Sequence, residues 1–196
     1  MTATLIGFLL YGCTGNGGDS AVIGVPDDTG DTVPDTDDTQ DTEDTDPDTV
    51  PETAWPALVI NEFMASNQTT ITDETGSYSD WIELYNPTDE AVELGGWLMT
   101  DDLEDPTVWE LDDTLSIEAG GFLLLWADKD PEEGPNHLDF GMSRDGGQIG
   151  LFAPTERAID RLEYAAQASD LSAARTPDGS LDWAITDAPT PGASNQ

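Results

Sequence analysis

The chain is short of positive charge, of histidine and of cysteine, and each shortage removes a class of function. Only five residues are Lys or Arg, against 42 Asp and Glu, for a net charge of −37 over 196 residues. A surface this negative repels phosphate backbones and anionic headgroups, so direct nucleic-acid binding and electrostatic docking on lipid are not expected. The one cysteine, Cys13, has no partner within the chain, which excludes an internal disulfide. The one histidine, His137, would have to carry any Ser–His or Cys–His catalysis alone, and no Gly-x-Ser-x-Gly elbow accompanies it. Zinc would want more His or Cys than the chain offers. His137 lies in GPNHLDF, before or at the edge of a strand, and reads as a surface or turn residue.

What is present falls into three parts. Residues 1–13, MTATLIGFLLYGC, carry an apolar run from Leu5 to Leu10. It is far shorter than the roughly 20 residues needed to span a bilayer and reads as the end of a secretory signal. Leu10-Tyr11-Gly12-Cys13 resembles the bacterial lipobox. In that motif a small residue admits the signal peptidase and the Cys thiol receives a diacylglycerol. No Lys or Arg precedes the run, and Tyr11 is bulkier than the motif usually holds. Cys13 is therefore the expected lipidation site and the only expected link to a membrane.

Apart from the short AVIGV (21–25), residues 14–54 are nearly all Asp, Thr, Pro and Gly, with no aromatic and no basic residue. They cannot bury enough apolar surface to offset their conformational entropy, so a disordered acidic linker is expected. Repulsion between acids and the stiffness of Pro extend it, and some 40 residues reach roughly 100 Å. The alternating Asp of DTDDTQDTEDTDPDT resembles calcium-loop ligands, but that stretch lacks the Gly such a loop turns on.

Residues 55–196 hold all six Trp and all five basic residues. Apolar runs such as ALVINEFMA, SDWIELYNP, GGFLLLWAD and GQIGLFAP are short, several alternate, and turn residues separate most of them. No run keeps a 3.6-residue period over the length of a helix. The pattern predicts an all-β sandwich or barrel of seven to nine strands in a single domain. In DWIELYNPTDEAVELGGWL, residues 80–98, Ile82 and Leu84 are predicted to face the core. Trp81, Glu83 and Tyr85 are then on a half-wet outer face. Asn86-Pro87-Thr88-Asp89 reads as a turn into an antiparallel return from Ala91 to Leu94, with a bulge at Gly95-Gly96. On this reading Asp80, Glu83 and Glu93 are the solvated side of a hairpin, and no catalytic residue is assigned. EAGGF and RDGGQIG read as hairpin turns.

INEFMASN (60–67), DWIELYNPTDEAVELGGWLMTDD (80–102), EAGGFLLLWADK (118–129), HLDFGMSRDGGQIGLF (137–152), RTPDGSLDW (175–183) and TPGASN (190–195) resemble, in order, the bacterial form of the lamin-tail domain. The resemblance implies an immunoglobulin-like β-sandwich, in agreement with the periodicity. It also implies a secreted or surface protein with an anchoring or interaction role, and it carries no catalytic set. The DNA and nuclear-envelope associations of animal relatives do not transfer to so acidic a chain.

The expected function is thus a non-enzymatic binding or structural module of the bacterial cell envelope, lipid-anchored or secreted, whose partner is an envelope protein or polysaccharide. Two alternatives stand beside it. One is a calcium-stabilised adhesion module, with Asp101, Asp102 and Asp105 of TDDLED as candidate ligands. The other is a carboxylate-dependent hydrolase, which requires a cleft holding two acids in opposed environments. The Trp residues are expected mostly in the core.

Overall fold

The computed structural model describes residues 55–195; Cys13, the lipobox-like segment 1–13 and the linker 14–54 lie outside the described residues. Twelve strands and one 3-10 turn follow in order. They are β1 (Val59–Met64), β2 (Trp81–Tyr85), β3 (Val92–Glu93), β4 (Leu98–Thr100), β5 (Trp109–Glu110), β6 (Ser116–Ile117) and β7 (Phe122–Ala127). The turn Pro131–Glu133 precedes β8 (His137–Leu138), β9 (Gly146–Phe152), β10 (Ala158–Ala165), β11 (Ser172–Arg175) and β12 (Trp183–Thr186). One sheet runs β12-β11-β1-β2-β7-β8, a second runs β10-β9-β4-β5, and β3 pairs with β6. All pairings are antiparallel except the short parallel contact of β7 with β8. The fold is the all-β sandwich expected from the periodicity, immunoglobulin-like as the family resemblance implies. The strand count exceeds the seven to nine expected, because β3, β5, β6 and β8 are only two residues long.

Alternation along each strand sorts the side chains. Ile60, Phe63, Ile82, Leu84 and Leu125 of the six-stranded sheet pack in one core with Met99, Ile149, Leu151 and Leu162 of the four-stranded sheet. Phe63 is wholly buried, its ring 5.0 Å from that of Tyr164 and 5.6 Å from that of Trp183. Trp81, Trp97 and Trp126 are buried, and Trp55, Trp109 and Trp183 are partly buried against the core, as expected for Trp in a sandwich.

The predicted hairpin is not formed. Asn86 does make the turn: its side-chain oxygen accepts from the N–H and hydroxyl of Thr88, and its amide donates to the carbonyls of Glu90, Ile117 and Glu118. Those last two bonds draw the chain toward β6, so β3 pairs there rather than with β2, and β2 lies between β1 and β7. Gly95-Gly96 forms a tight turn, not a bulge, with Trp97 N–H donating to the Leu94 carbonyl. EAGGF and RDGGQIG are likewise turns, but each joins strands of different sheets.

The two sheets are stapled near the β1–β10 side. Asp160 of β10 accepts from the backbone N–H of Ile60 at 2.8 Å and from Nη2 of Arg175 at 2.9 Å. Arg175 of β11 donates Nε–H to the Ile60 carbonyl at 2.8 Å and lies 4.7 Å over the Trp183 ring. This fixes the role of RTPDGSLDW: its Arg and Trp hold the sandwich closed.

Candidate functional site

Glu83 is not on a wet face. It has no exposed surface, nor has Glu62, its register partner on β1. The outer face of the six-stranded sheet is covered twice. Met64, Trp81 and Trp126 make a second small core there with Ile71 and Leu124. Beside it the C-terminal residues 190–195 lie over the acids. The backbone N–H of Gly192 donates to Glu83 at 2.6 Å, and Thr190 donates its N–H and its hydroxyl to Glu62, both at 3.1 Å. Ser172 donates to the other Glu62 oxygen at 2.5 Å.

A bulge in β1 completes this clasp. Register slips between Ile60 and Glu62, which turns Asn61 out of the ladder. The Asn61 amide donates to Glu83 at 3.1 Å and to Asp178 at 2.9 Å, and its side-chain oxygen accepts from Gly179 N–H. Asp178 in turn accepts from Asn195 N–H and from the Ser194 hydroxyl. The residues of INEF, DWIEL, TPDGS and TPGASN thus meet in one buried network. Burial pushes the Glu83 carboxyl up to about 7, against the hydrogen bonds from Gly192 and Asn61, and burial likewise raises Glu62. Both acids are displaced in the same direction, and the chain's own residues fill the space before them.

Of the other opening acids, Asp80 is half-buried and accepts from Asn67 N–H at 2.9 Å, while Glu93 is exposed. Asp73 is also buried. Its carboxylate accepts from the N–H and hydroxyl of Thr75, from Ser77 N–H and from the Ser79 hydroxyl. Burial opposes its ionisation, but these donors carry its pKa down to about 2.

The calcium candidates follow β4 on an exposed loop. Thr100 closes that loop by donating to the carbonyls of Asp102 and Asp105. Asp102 accepts from Glu104 N–H, and Asp105 accepts from the hydroxyl and N–H of Thr107, which hold its pKa below the usual carboxylate range. Asp101, Asp102 and Asp105 all point into exposed turn positions, and their ligand atoms do not converge as a group.

His137 corrects the reading from sequence. It does begin a strand at the sheet edge, but the ring is wholly buried, neither surface nor turn. Its backbone N–H donates to the Gly134 carbonyl at 3.1 Å, Trp126 of β7 is its register partner, and the 3-10 turn and the loop bearing Glu74 close over it. Nδ1–H donates to Asp128 Oδ2 at 2.7 Å, Glu133 Oε2 lies 3.8 Å from Nδ1, and Glu74 Oε1 lies 3.2 Å from Nε2. Burial lowers the pKa of the ring, but the bond to Asp128 and the nearness of Glu74 outweigh it and leave the pKa raised. Among the described residues, Asp128, Glu133 and His137 are the group whose potential ligand atoms come together, all within 4.8 Å. The spacing Asp-x4-Glu-x3-His was the available signal, and a lone His among 29 acids concealed it.

No curated protein matches the chain. The family model for the Lamin Tail Domain matches residues 51–166, from the approach to β1 through the end of β10. RTPDGSLDW and TPGASN lie beyond that span and add β11, β12 and the clasp. The family's domain is an immunoglobulin-like structural fold, not an enzyme family, and is compatible with a binding or structural module. Over more than half its length, and with the sandwich that family builds, this chain belongs to the lamin-tail-domain family.

Proposed function

We propose that the protein is a non-enzymatic binding or structural module of the bacterial cell envelope, anchored by a lipid on Cys13 and displayed on its acidic linker. The observation that carries the non-enzymatic reading is the closure of the Glu62–Glu83 pair by residues 190–195. A glycosidase needs one acid kept protonated and another kept ionised, both open to substrate. Here Glu62 and Glu83, paired across β1 and β2, are both raised and both sealed. The lipobox-like sequence and the composition of residues 14–54 support display at a surface.

The partner is an envelope protein or polysaccharide. Strand β12, at one end of the six-stranded sheet, leaves Ile185 exposed, with Leu181 exposed just before it, and an edge of this kind accepts an added strand. The anchoring is tested by labelling a bacterial host with radioactive palmitate. Label should enter the parent chain and not Cys13→Ala, and the variant should leave the membrane fraction. Absence of label together with unchanged fractionation abandons the anchor.

A further inference from the structure

The side chains around His137 carry more negative charge than its single proton can offset. Glu74, Asp128 and Glu133 face the ring directly, and Asp73 and Asp130 add further negative charge near Glu133. The ring is fully buried, yet Nε2 has no hydrogen-bond partner, although Glu74 Oε1 is 3.2 Å away. A buried imidazole with one unsatisfied nitrogen, ringed by carboxylates, is an incomplete electrostatic arrangement.

We propose that Asp128, Glu133 and His137 bind a divalent first-row transition ion of the zinc class. Their ligand atoms lie within 4.8 Å of one another and come from one short segment that spans the end of β7, the 3-10 turn and the start of β8. Ligands at about 2.0–2.2 Å from a tetrahedral zinc sit roughly 3.3–3.5 Å apart. The 2.7 Å contact of Nδ1 with Asp128 therefore opens by roughly 0.6–0.8 Å, and the 3.8 Å contact with Glu133 closes by roughly 0.3–0.5 Å. Asp128 is already oriented, because its other oxygen accepts from Asp130 N–H at 3.2 Å. With Nδ1 on the metal the ring proton resides on Nε2, where Glu74 stands to accept it. That is the outer carboxylate which orients a metal-bound imidazole. One imidazole with two carboxylates selects against calcium and magnesium, which prefer oxygen alone. The ion replaces the proton of the imidazolium, offsets one more carboxylate, and ties β7 to β8 at the sheet edge. Three protein ligands leave a coordination position open to water or to a donor from a partner.

The test uses the tag-free full-length chain with Cys13→Ser throughout, so that the sole thiol cannot bind metal. Zinc is titrated calorimetrically into chelator-treated protein, with calcium and magnesium as competitors. The expected result is one saturable site per chain that a hundredfold excess of calcium does not displace. Glu133→Gln should weaken it at least tenfold, and Glu74→Gln by roughly 10–100-fold through loss of the orienting carboxylate. His137→Gln should abolish it. Both Glu side chains are partly exposed, so these two variants keep the test decisive if His137→Gln fails to fold. Because the chain has one histidine, nitrogen NMR of the imidazole assigns the ligating atom without ambiguity, and Nδ1 is the nitrogen expected to move. Non-saturating uptake, equal competition by calcium, or a Glu133→Gln affinity within twofold of the parent overturns the proposal.

Discussion

Glu62 and Glu83 stand opposite one another at one register position of β1 and β2, both without exposed surface, each accepting from the last residues of the chain. Two carboxyls so placed do not both ionise without cost, and Glu83, at about 7, is the one whose change falls near neutrality. Its folded pKa is above the ordinary 4.5. The stability it contributes is therefore complete below pH 4.5 and lost as pH rises through about 7, a difference on the order of 3 kcal/mol. Glu62 and His137, both raised, act in the same direction. Asp73 acts oppositely: lowered to about 2, it withdraws stability as pH falls from 3.8 toward 2. Thermal or urea unfolding should thus show greatest stability at mildly acidic pH, near 4.5–5, declining toward pH 8. Glu83→Gln, which cannot ionise, should flatten the decline. An unchanged slope in that variant removes Glu83 as its source.

The clasp makes a second, separable prediction. Asn61→Ala strips one donor each from Glu83 and Asp178 and leaves Gly179 N–H without its acceptor. Buried groups left unsatisfied cost about 1–3 kcal/mol each, with strong coupling between neighbours. The expected loss is about 2–4 kcal/mol in urea unfolding, accompanied by faster amide exchange of Gly192 and Asn195. A loss below 0.5 kcal/mol would show that water serves this site as well as Asn61 does.

How far the sequence disclosed these features differs from residue to residue. Val59–Met64, Trp81–Tyr85 and Phe122–Ala127 are legible as strands because a short apolar run bounded by turn residues is a property of the segment itself. Pairing is not. Asn86 terminates β2 as its residue type predicts, but its amide bonds to residues 117 and 118 determine that β3 goes to β6. The inner assignment of Ile82 and Leu84 held, since two aliphatics on one face of a strand need a core. Glu83 does lie on the outer face, but its expected exposure failed because its cover comes from Gly192, 109 positions away, which no local period encodes. His137 was hidden for a similar reason: its nearest acids are ordinary turn residues until the 3-10 turn folds them over the ring. Asp101, Asp102 and Asp105 are found on the expected loop after a strand, with Asp102 and Asp105 each oriented by its own turn.

Arg175 and Asp160 give a third prediction. Arg175 is buried and Asp160 half-buried, and Asp160 also holds Ile60 N–H, so the pair links β10, β1 and β11. Arg175→Leu leaves Asp160 without its cation and the Ile60 carbonyl without its donor. Removing one partner of a buried pair costs about 3–5 kcal/mol. Arg175→Lys should recover little of this, because a point ammonium cannot reach Asp160, Ile60 and Ser180 together or lie flat on Trp183. Urea midpoints for the two variants check it. Full recovery by Lys would mean that charge alone matters, not the planar fork.

The calcium reading is decided by a melt of the full chain in chelator and then in rising calcium, with magnesium and matched ionic strength alongside. Asp102 and Asp105 each commit an oxygen to the N–H groups of their own turns, and the three carboxylates do not converge. The expected outcome is therefore a gradual rise in Tm shared by calcium, magnesium and salt, the screening response of a domain with five basic residues against 29 acids. A specific site held at a hundred times its Kd would instead add roughly 2.7 kcal/mol, or a shift on the order of 5–15 °C. Such a shift, saturable, absent with magnesium and lost in the combined Asp101→Asn, Asp102→Asn, Asp105→Asn chain, would establish the adhesion alternative. The loop would then have to reorganise on binding, since its turns must release the oxygens they now hold.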